Sequence, residues 1–320
     1  GSLADLDRAI QLDPKNSLAY FSRGNIKTLK LEDFQGALVD YNRTIQLDPK
    51  YAEAYENRGF LKERKLKDNQ GALADYNRAI SLEPKRAVTY FLRGIFKESE
   101  LQDIPGALVD YDRAISLDPK EANVYVVRGD LKQSKLQDDR AALADYNRAI
   151  AIDRNSIAAY KSRAALKSKK LQDIQGALAD CDRAIAIDPN QADTYNACGV
   201  LKSGKLQDFQ GALTDFDRAI QLEPNSARVY ANRGMLKMTK LGNIPGALAD
   251  ANRAIELDPE LADAFAIRGS LKHASTDRAG GIADIRQAAK LYQQQRNTEK
   301  YQMMIKVLTE WQKLDRNSNS

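Results

Sequence analysis

The 320-residue chain has one histidine, one tryptophan and two cysteines, and each scarcity closes off a class of function. Two cysteines cannot build a disulfide framework, so no oxidising compartment is implied. One histidine and two cysteines far apart in sequence make no metal site, and no cofactor is expected. No apolar run approaches the roughly 18 residues that a membrane span needs. Strand-type alternation is missing throughout, so no phosphate loop follows a strand; Gly280-Gly281 reads as a permissive helix start. His273 has no acid or nucleophile in register with it and reads as a solvated or helix-end residue rather than a base. The chain is therefore read as not an enzyme. Bases (49) nearly balance acids (44), which argues against a dedicated polyanion binder without excluding a local basic patch. The composition, 43% hydrophobic and 29% charged, is that of a globular protein. Nothing in it names a compartment, and a cytoplasmic one is the default expectation.

What the chain has instead is a period. Pro14, Pro49, Pro84, Pro119, Pro189, Pro224 and Pro259 stand on a 35-residue grid, with Arg154 at the one vacant position. Arg-Gly keeps the same spacing at Arg23-Gly24, Arg58-Gly59, Arg93-Gly94, Arg128-Gly129, Arg233-Gly234 and Arg268-Gly269, and reads Arg163-Ala164 and Cys198-Gly199 at the other two. Repeats of this length cannot bury their own apolar faces singly; stacked copies can.

Each unit holds two helices. From Ala52 to about Lys65, Tyr55, Gly59, Leu61 and Leu66 lie on roughly one helical face. A break follows, and Asp68 is placed to cap a second helix, as are Asp33, Asp103, Asp138, Asp173, Asp208 and Asn243. Pro105 and Pro245 sit just inside that helix, where a missing N–H costs nothing. Its buried stripe is Ala72, Leu73, Tyr76, Ala79, Ile80 and Leu82, and Glu83-Pro84 ends it. The expected organisation is a half repeat over residues 1–16, eight units over 17–295, and a capping helix and tail over 296–320, all in a single domain. Gly1-Ser2 reads as an expression remnant, and the chain is expected to begin mid-repeat. The capping helix would bury Tyr301, Met304, Ile305, Leu308 and Trp311.

The unit AEAYENRGFLKERKLKDNQGALADYNRAISLEP resembles the tetratricopeptide repeat (TPR) through Tyr55, Gly59, Ala72, Tyr76, Ala79 and Pro84. Its GAL-x-D-Y-x-R-AI-x-L-D-P wording resembles bacterial, especially cyanobacterial, repeats. The resemblance extends over nearly the whole chain. It implies an all-α, right-handed superhelical solenoid of antiparallel helix pairs, close to one superhelical turn for eight units. The chain departs from the family in its period of 35 rather than 34, in Arg where the family has Leu before the Gly, and in Lys where it has Tyr. Pentatricopeptide repeats, which read RNA, also have a period of 35, but their motif lacks this second helix.

Internal recurrence separates scaffold from site, because a ligand does not repeat every 35 residues. A Lys recurs in all eight units, from Lys27 and Lys62 to Lys272, an Arg four residues earlier in seven, and an acid of the second helix in all eight, from Asp40 and Asp75 to Asp284. These bases and acids suggest a ladder along the array, with Arg58 able to reach Asp40 or Asp75. The basic stretch RGFLKERKL at 58–66 is thus read as scaffold rather than phosphate site. Cys181 and Cys198 replace the second-helix aromatic and the next unit's Arg, and read as a compensating small buried pair; a disulfide or redox sensor is the other reading.

The varying positions of the first helix share a face, which in the family lines the concave groove. In the first four units they are Leu18, Phe21, Asn25, Glu53, Glu56, Phe60, Glu63, Val88, Phe91, Ile95, Glu98, Asn123, Val126 and Asp130. The later units place Ala158, Lys161, Ala165, Asp193, Asn196, Val200, Arg228, Ala231, Met235, Met238, Asp263, Ala266 and Ser270 there. Apolar residues at positions free to vary mark an interaction surface. The expected function is a protein–protein interaction scaffold or adaptor holding a peptide or partner protein, with basic residues flanking an apolar core. Packing of these aromatics against a neighbouring unit is the structural alternative. A nucleic-acid-binding solenoid and end-to-end stacking into a homo-oligomer are the functional ones.

Overall fold

The computed structural model describes residues 2–204, 207–275 and 277–317. It divides into two compact units, Gly1–Ala159 and Tyr160–Ser320. Among the described residues there are eighteen α-helices and no strand. The first unit holds α1 (Leu3–Leu12) and the antiparallel pairs α2 (Ser17–Ile26) with α3 (Phe34–Leu47), α4 (Ala52–Leu61) with α5 (Asn69–Leu82), α6 (Ala87–Ser99) with α7 (Ile104–Leu117), and α8 (Ala122–Ser134) with α9 (Asp139–Ile152). Helix α10 (Ile157–Leu166) contains the division. The second unit continues with α11 (Ile174–Ile187), α12 (Ala192–Ser203), α13 (Phe209–Leu222), α14 (Ala227–Thr239), α15 (Ile244–Leu257), α16 (Ala262–Ala274), α17 (Arg278–Gln294) and α18 (Thr298–Asn317).

The helix boundaries follow from local chemistry. Each second helix begins at an Asp or Asn whose side chain accepts the N–H three residues on, as Asp68 does from Gly71 at 2.9 Å. The glycine there meets its cap closely: a Cβ on Gly71 would lie 2.0 Å from Asp68 Oδ2. Yet Ala141 stands at the same register and still donates to Asp138 at 3.0 Å, so the cap swings aside at little cost. Most second helices end at Asp-Pro or Glu-Pro, where the proline ring bars a further turn; α9 ends at Asp153-Arg154 without one. The aspartates here have a second use: Asp48 and Asp118 accept from the backbone of Lys50 and Lys120 at 3.0 Å, closing the turn into the next helix.

The thirty-fifth residue lies in the turn inside each pair. Helices α2, α4 and α10 widen into π-type turns at Lys27–Leu31, Lys62–Leu66 and Lys167–Leu171. The chain then passes through a left-handed residue: Glu32, Lys67, Gln102, Gln137, Gln172, Gln207 or Gly242. The N-cap that follows donates its N–H to the recurrent lysine's carbonyl six residues back, Asp33 to Lys27 and Asp68 to Lys62 at 3.0 Å. The commoner helix-ending contact spans five residues, and the extra residue is absorbed in this difference.

At the far end of the second unit, α18 lays Tyr301, Met304, Val307, Leu308 and Trp311 on a cluster that includes Ala262, Ile285 and Tyr292. Val307 takes the place expected of Ile305, which is turned outward; Met304, Val307 and Trp311 are three and four residues apart, on one stripe. Trp311 stacks on His273 with ring centroids 3.6 Å apart and planes 8° from parallel. The single histidine is thus at a helix end, as expected, but shielded by an indole.

Candidate partner-binding face

The recurrent charges are consumed by the scaffold. Arg58 donates through Nε and Nη2 to both oxygens of Asp75, at 2.8 and 2.6 Å, and Lys62 closes on the same carboxylate at 2.9 Å. The Arg58 partner is thus Asp75 of its own pair, not Asp40, whose carboxylate is bound by Arg23 and Lys27. In four of the recurrent arginines the third nitrogen crosses to the preceding pair: Arg58 to Asn42 and Arg93 to Asn77 at 2.7 Å, Arg128 to Asp112 and Arg233 to Asp217 at 2.6 Å. The aspartates are buried. An arginine fork that grips an acid of its own pair and a side chain of the previous one fixes the register between pairs. None of these bases faces outward for phosphate.

The second unit breaks the ladder once. Cys198 stands where an arginine would be, so Asp215 keeps only Lys202, at 2.8 Å. Burial then holds the Asp215 carboxyl above the usual carboxylate range, against the pull of Lys202. At Asp284 burial acts the same way, but hydrogen bonds from Arg268 and Lys272 outweigh it and the carboxyl is held low. Cys198 and Cys181 are free thiols, both buried. A hydrogen bond to Cys181, followed by burial, pushes the Cys198 thiol far up, which is the inert condition of a packing cysteine.

The fourteen residues of the expected face do not form one uniform surface. Leu18 (60% exposed), Val88 (42%) and Phe60 (38%) are open to solvent, as are Asn123 and Asp130. Phe21 and Val126 are buried in the core, Phe21 with its ring 4.8 Å from that of Tyr51. Phe91 and Ile95 are half-buried against Tyr111 and its neighbours. Six of the polar members are already engaged. Glu53 and Glu56 take Arg86 at 2.9 and 3.1 Å, and Glu56 also accepts from Thr89. Asn25, Glu63, Glu98 and Asp130 each accept the hydroxyl of a buried second-helix tyrosine: Tyr41, Tyr76, Tyr111 and Tyr146, at 2.7–2.9 Å. Burial also holds Glu63 above the usual carboxylate range, although the Tyr76 hydroxyl lowers it.

Three residues of the expected face come together at one cavity in the first unit. A space of about 320 Å³ is lined by Val88, Phe91 and Asn123 with Ala87, Val124, Asp118 and Glu121, a size within the roughly 300–1,000 Å³ of small ligand pockets. Asp118 and Glu121 were not singled out in the sequence, nor was Arg86. Arg86 and Glu121 share the position just before a first helix, whose identity changes from unit to unit, so the same criterion of internal variation applied there would have found them; Asp118 holds a register that is Asp or Glu in every unit, and variation would not have marked it.

Antiparallel helix pairs on a 35-residue grid, bound pair to pair by an arginine ladder, define a helical-repeat protein. Residues 29–65 match the family model of the TPR repeat and residues 52–86 that of the tetratricopeptide repeat; with the unit recurring along the sequence, the chain is a tetratricopeptide-repeat protein. The sequence has no match among curated proteins. Among solved structures the fold is similar to yeast Tom70 (TM-score 0.66, 23% identity, 89% of this chain and 60% of that one). It is also similar to a tetratricopeptide repeat protein from Parabacteroides merdae (0.63, 19%, 79% and 98%) and to a chain of the Cut9–Hcn1 hetero-tetramer of the APC/C (0.61, 16%, 93% and 56%). The chain thus spans about three-fifths of the Tom70 chain it matches. Tetratricopeptide-repeat proteins are typically non-enzymatic, and the fold supports a protein–protein interaction scaffold. Among the described residues no helix is long and apolar enough to cross a membrane.

Proposed function

We propose that the first helices of the unit Gly1–Ala159 bind a partner peptide, centred on the cavity beside Val88 and Phe91. The observation that carries this is that Val88, Phe91 and Asn123, expected on one face from the repeat register alone, line a single apolar hollow with Asp118 and Glu121 around it. Exposed Leu18 and Phe60 belong to the same set of first-helix positions. An apolar side chain entering the hollow gains about 1.5–3 kcal/mol. The acids that would meet basic flanking residues are Asp118 and Glu121, which line the hollow, because Glu53 and Glu56 share Arg86 and Asp130 holds the Tyr146 hydroxyl. The peptide sought therefore has an apolar residue beside Lys or Arg. Selection from a random peptide library on the full chain tests this. Sequences with that pattern are expected to enrich on the wild type and to be lost on Val88→Asp, a solvent-exposed change that leaves the core intact. Enrichment indifferent to Val88→Asp would overturn the site.

A further inference from the structure

In the second unit a cavity of about 380 Å³ is lined, among the described residues, by Cys181, Ala164, Ser168, Val200, Leu201 and Lys161, with Ala165, Ala197 and Gly204 around them. Its origin lies in one missing ring. At the Cys181 register Tyr41, Tyr76, Tyr111, Tyr146 and Phe216 are all buried. These rings fit because the facing first-helix residue is glycine: a Cβ on Gly24 would lie 2.8 Å from the Tyr41 ring, on Gly94 2.6 Å from Tyr111, and on Gly129 2.6 Å from Tyr146. Opposite Cys181 the glycine has become Ala164, and the ring is gone.

Two other helix pairs lack the ring, and both junctions are filled from within: Ile285 itself packs against Gly269, where a Cβ would lie 3.0 Å from its Cγ1. Beside Ala251 the space is taken by Met238, which packs into that cluster. The residue at the Met238 register opposite Cys181 is Ser168, too short to do so. Ser168 has a further correspondence: Thr28, Glu63, Glu98 and Gln133, which hold the same register, all hydrogen-bond the tyrosine hydroxyl of their own pair, at 2.8–3.2 Å. The cavity therefore keeps a buried hydroxyl where a phenol would end, apolar walls where its ring would lie, and a polarisable sulfur beside it. Lys161, Ala165 and Val200, which line it, are groove positions by repeat register.

We propose that this cavity receives the aromatic ring of a tyrosine side chain from a partner polypeptide, supplying in trans the ring that the repeat lacks. The site is separate from the hollow beside Val88 and does not depend on it. Chain-wide amide resonances of the full protein, titrated with N-acetyl-tyrosinamide, p-cresol and N-acetyl-leucinamide, test it. The tyrosine derivative and p-cresol are expected to shift the amides of Ala164, Cys181 and Val200 saturably, with a dissociation constant on the order of millimolar for so small a probe, and leucinamide is not. Cys181→Tyr with Ala164→Gly, which restores the internal ring, is expected to weaken both by about tenfold or more; Ser168→Met, copying Met238, does so by a second route should the first variant not fold. Shifts absent from the wild type, shifts retained in a folded filled variant, or equal binding of leucinamide would overturn the proposal. Binding of p-cresol without the capped tyrosine would overturn it too, in favour of a free small aromatic.

Discussion

Arg58 holds Asp75 with two parallel hydrogen bonds, at 2.8 and 2.6 Å, and spends its remaining nitrogen on Asn42 of the preceding pair, 2.7 Å away. One side chain therefore joins both helices of its own pair and ties that pair to the one before. Asp75 is nearly inaccessible to water, so removing its partner leaves a buried charge with Lys62 as its only counter-ion. Arg58→Met is expected to destabilise the chain by roughly 3 kcal/mol, the lower end for breaking a buried ion pair. Arg58→Met with Asp75→Leu should cost distinctly less, because the buried carboxylate is gone and only the partly exposed Lys62 loses its partner. Urea denaturation of the two single variants and the double variant measures both, and a double variant as unstable as Arg58→Met would show that the pair stabilises rather than specifies.

Cys198 performs a version of this experiment in the natural sequence. Because the folded state raises the Asp215 carboxyl above its ordinary 3.8, it holds that proton more tightly than the unfolded chain does. Its contribution to stability is therefore present in acid and declines as pH rises through and above about 4. Asp284, held low by Arg268 and Lys272, works the other way: its contribution is full above about 4 and is lost as pH falls further. Asp215→Asn is expected to raise the urea midpoint at pH 7, with the gain shrinking toward pH 4. Asp284→Asn lowers it at pH 7, and that loss shrinks in acid. Parallel pH series on the two variants check the opposite signs.

The repeat period, the helix pairs, the caps and the arginine ladder were legible because each is forced by a residue type at fixed spacing: Asp68 as a cap, Pro84 as a stop, Arg58 opposite Asp75. The face was legible only in part. Variation between units reads as contact with a partner, but Asn25, Glu63, Glu98 and Asp130 each serve as the acceptor of a tyrosine hydroxyl, a role that several residue types fill. A scaffold role that tolerates several residue types cannot be told from a variable site by recurrence alone. Pairing each buried tyrosine with the residues thirteen and sixteen positions before it would have exposed that role. The reach of Arg86 to Glu53 and Glu56 spans successive pairs, and no spacing rule within a unit reports it.

The left-handed turn offers a cleaner test of backbone strain. At the turn inside the helix pairs six described non-glycine residues, among them Gln102 and Gln137, adopt φ near +55°, and Gly242 holds the seventh place at +62°. A side chain in that region costs about 1–2 kcal/mol, part of which glycine returns through the entropy of the unfolded chain. Gln137→Gly is therefore expected to stabilise by roughly 0.5–1 kcal/mol, and Gly242→Ala to destabilise by a similar amount. A Cβ on Gly242 meets nothing within 4 Å, so any loss there reports the backbone and not a clash. Thermal unfolding of both variants decides it, and a neutral Gly242→Ala would refute the account.

Trp311 is the only tryptophan, and its ring lies on His273, 3.6 Å between centroids. Its fluorescence therefore reports one event, the docking of α18 onto the last helix pair. In a stack where each pair touches only its neighbours, the terminal element opens before the interior. A urea titration followed by tryptophan fluorescence is expected to reach its midpoint below the transition seen by far-ultraviolet circular dichroism, which reports all the helices. Trp311→Ala removes the largest side chain of that contact and should cost about 3 kcal/mol at the terminal docking. The amide protons of α18 would then exchange faster while those of α14 and α15 keep their protection. Coincident transitions in the wild type, or a loss of protection in α14 and α15 as large as in α18, would mean that α18 is an integral part of one cooperative block and not a separable cover.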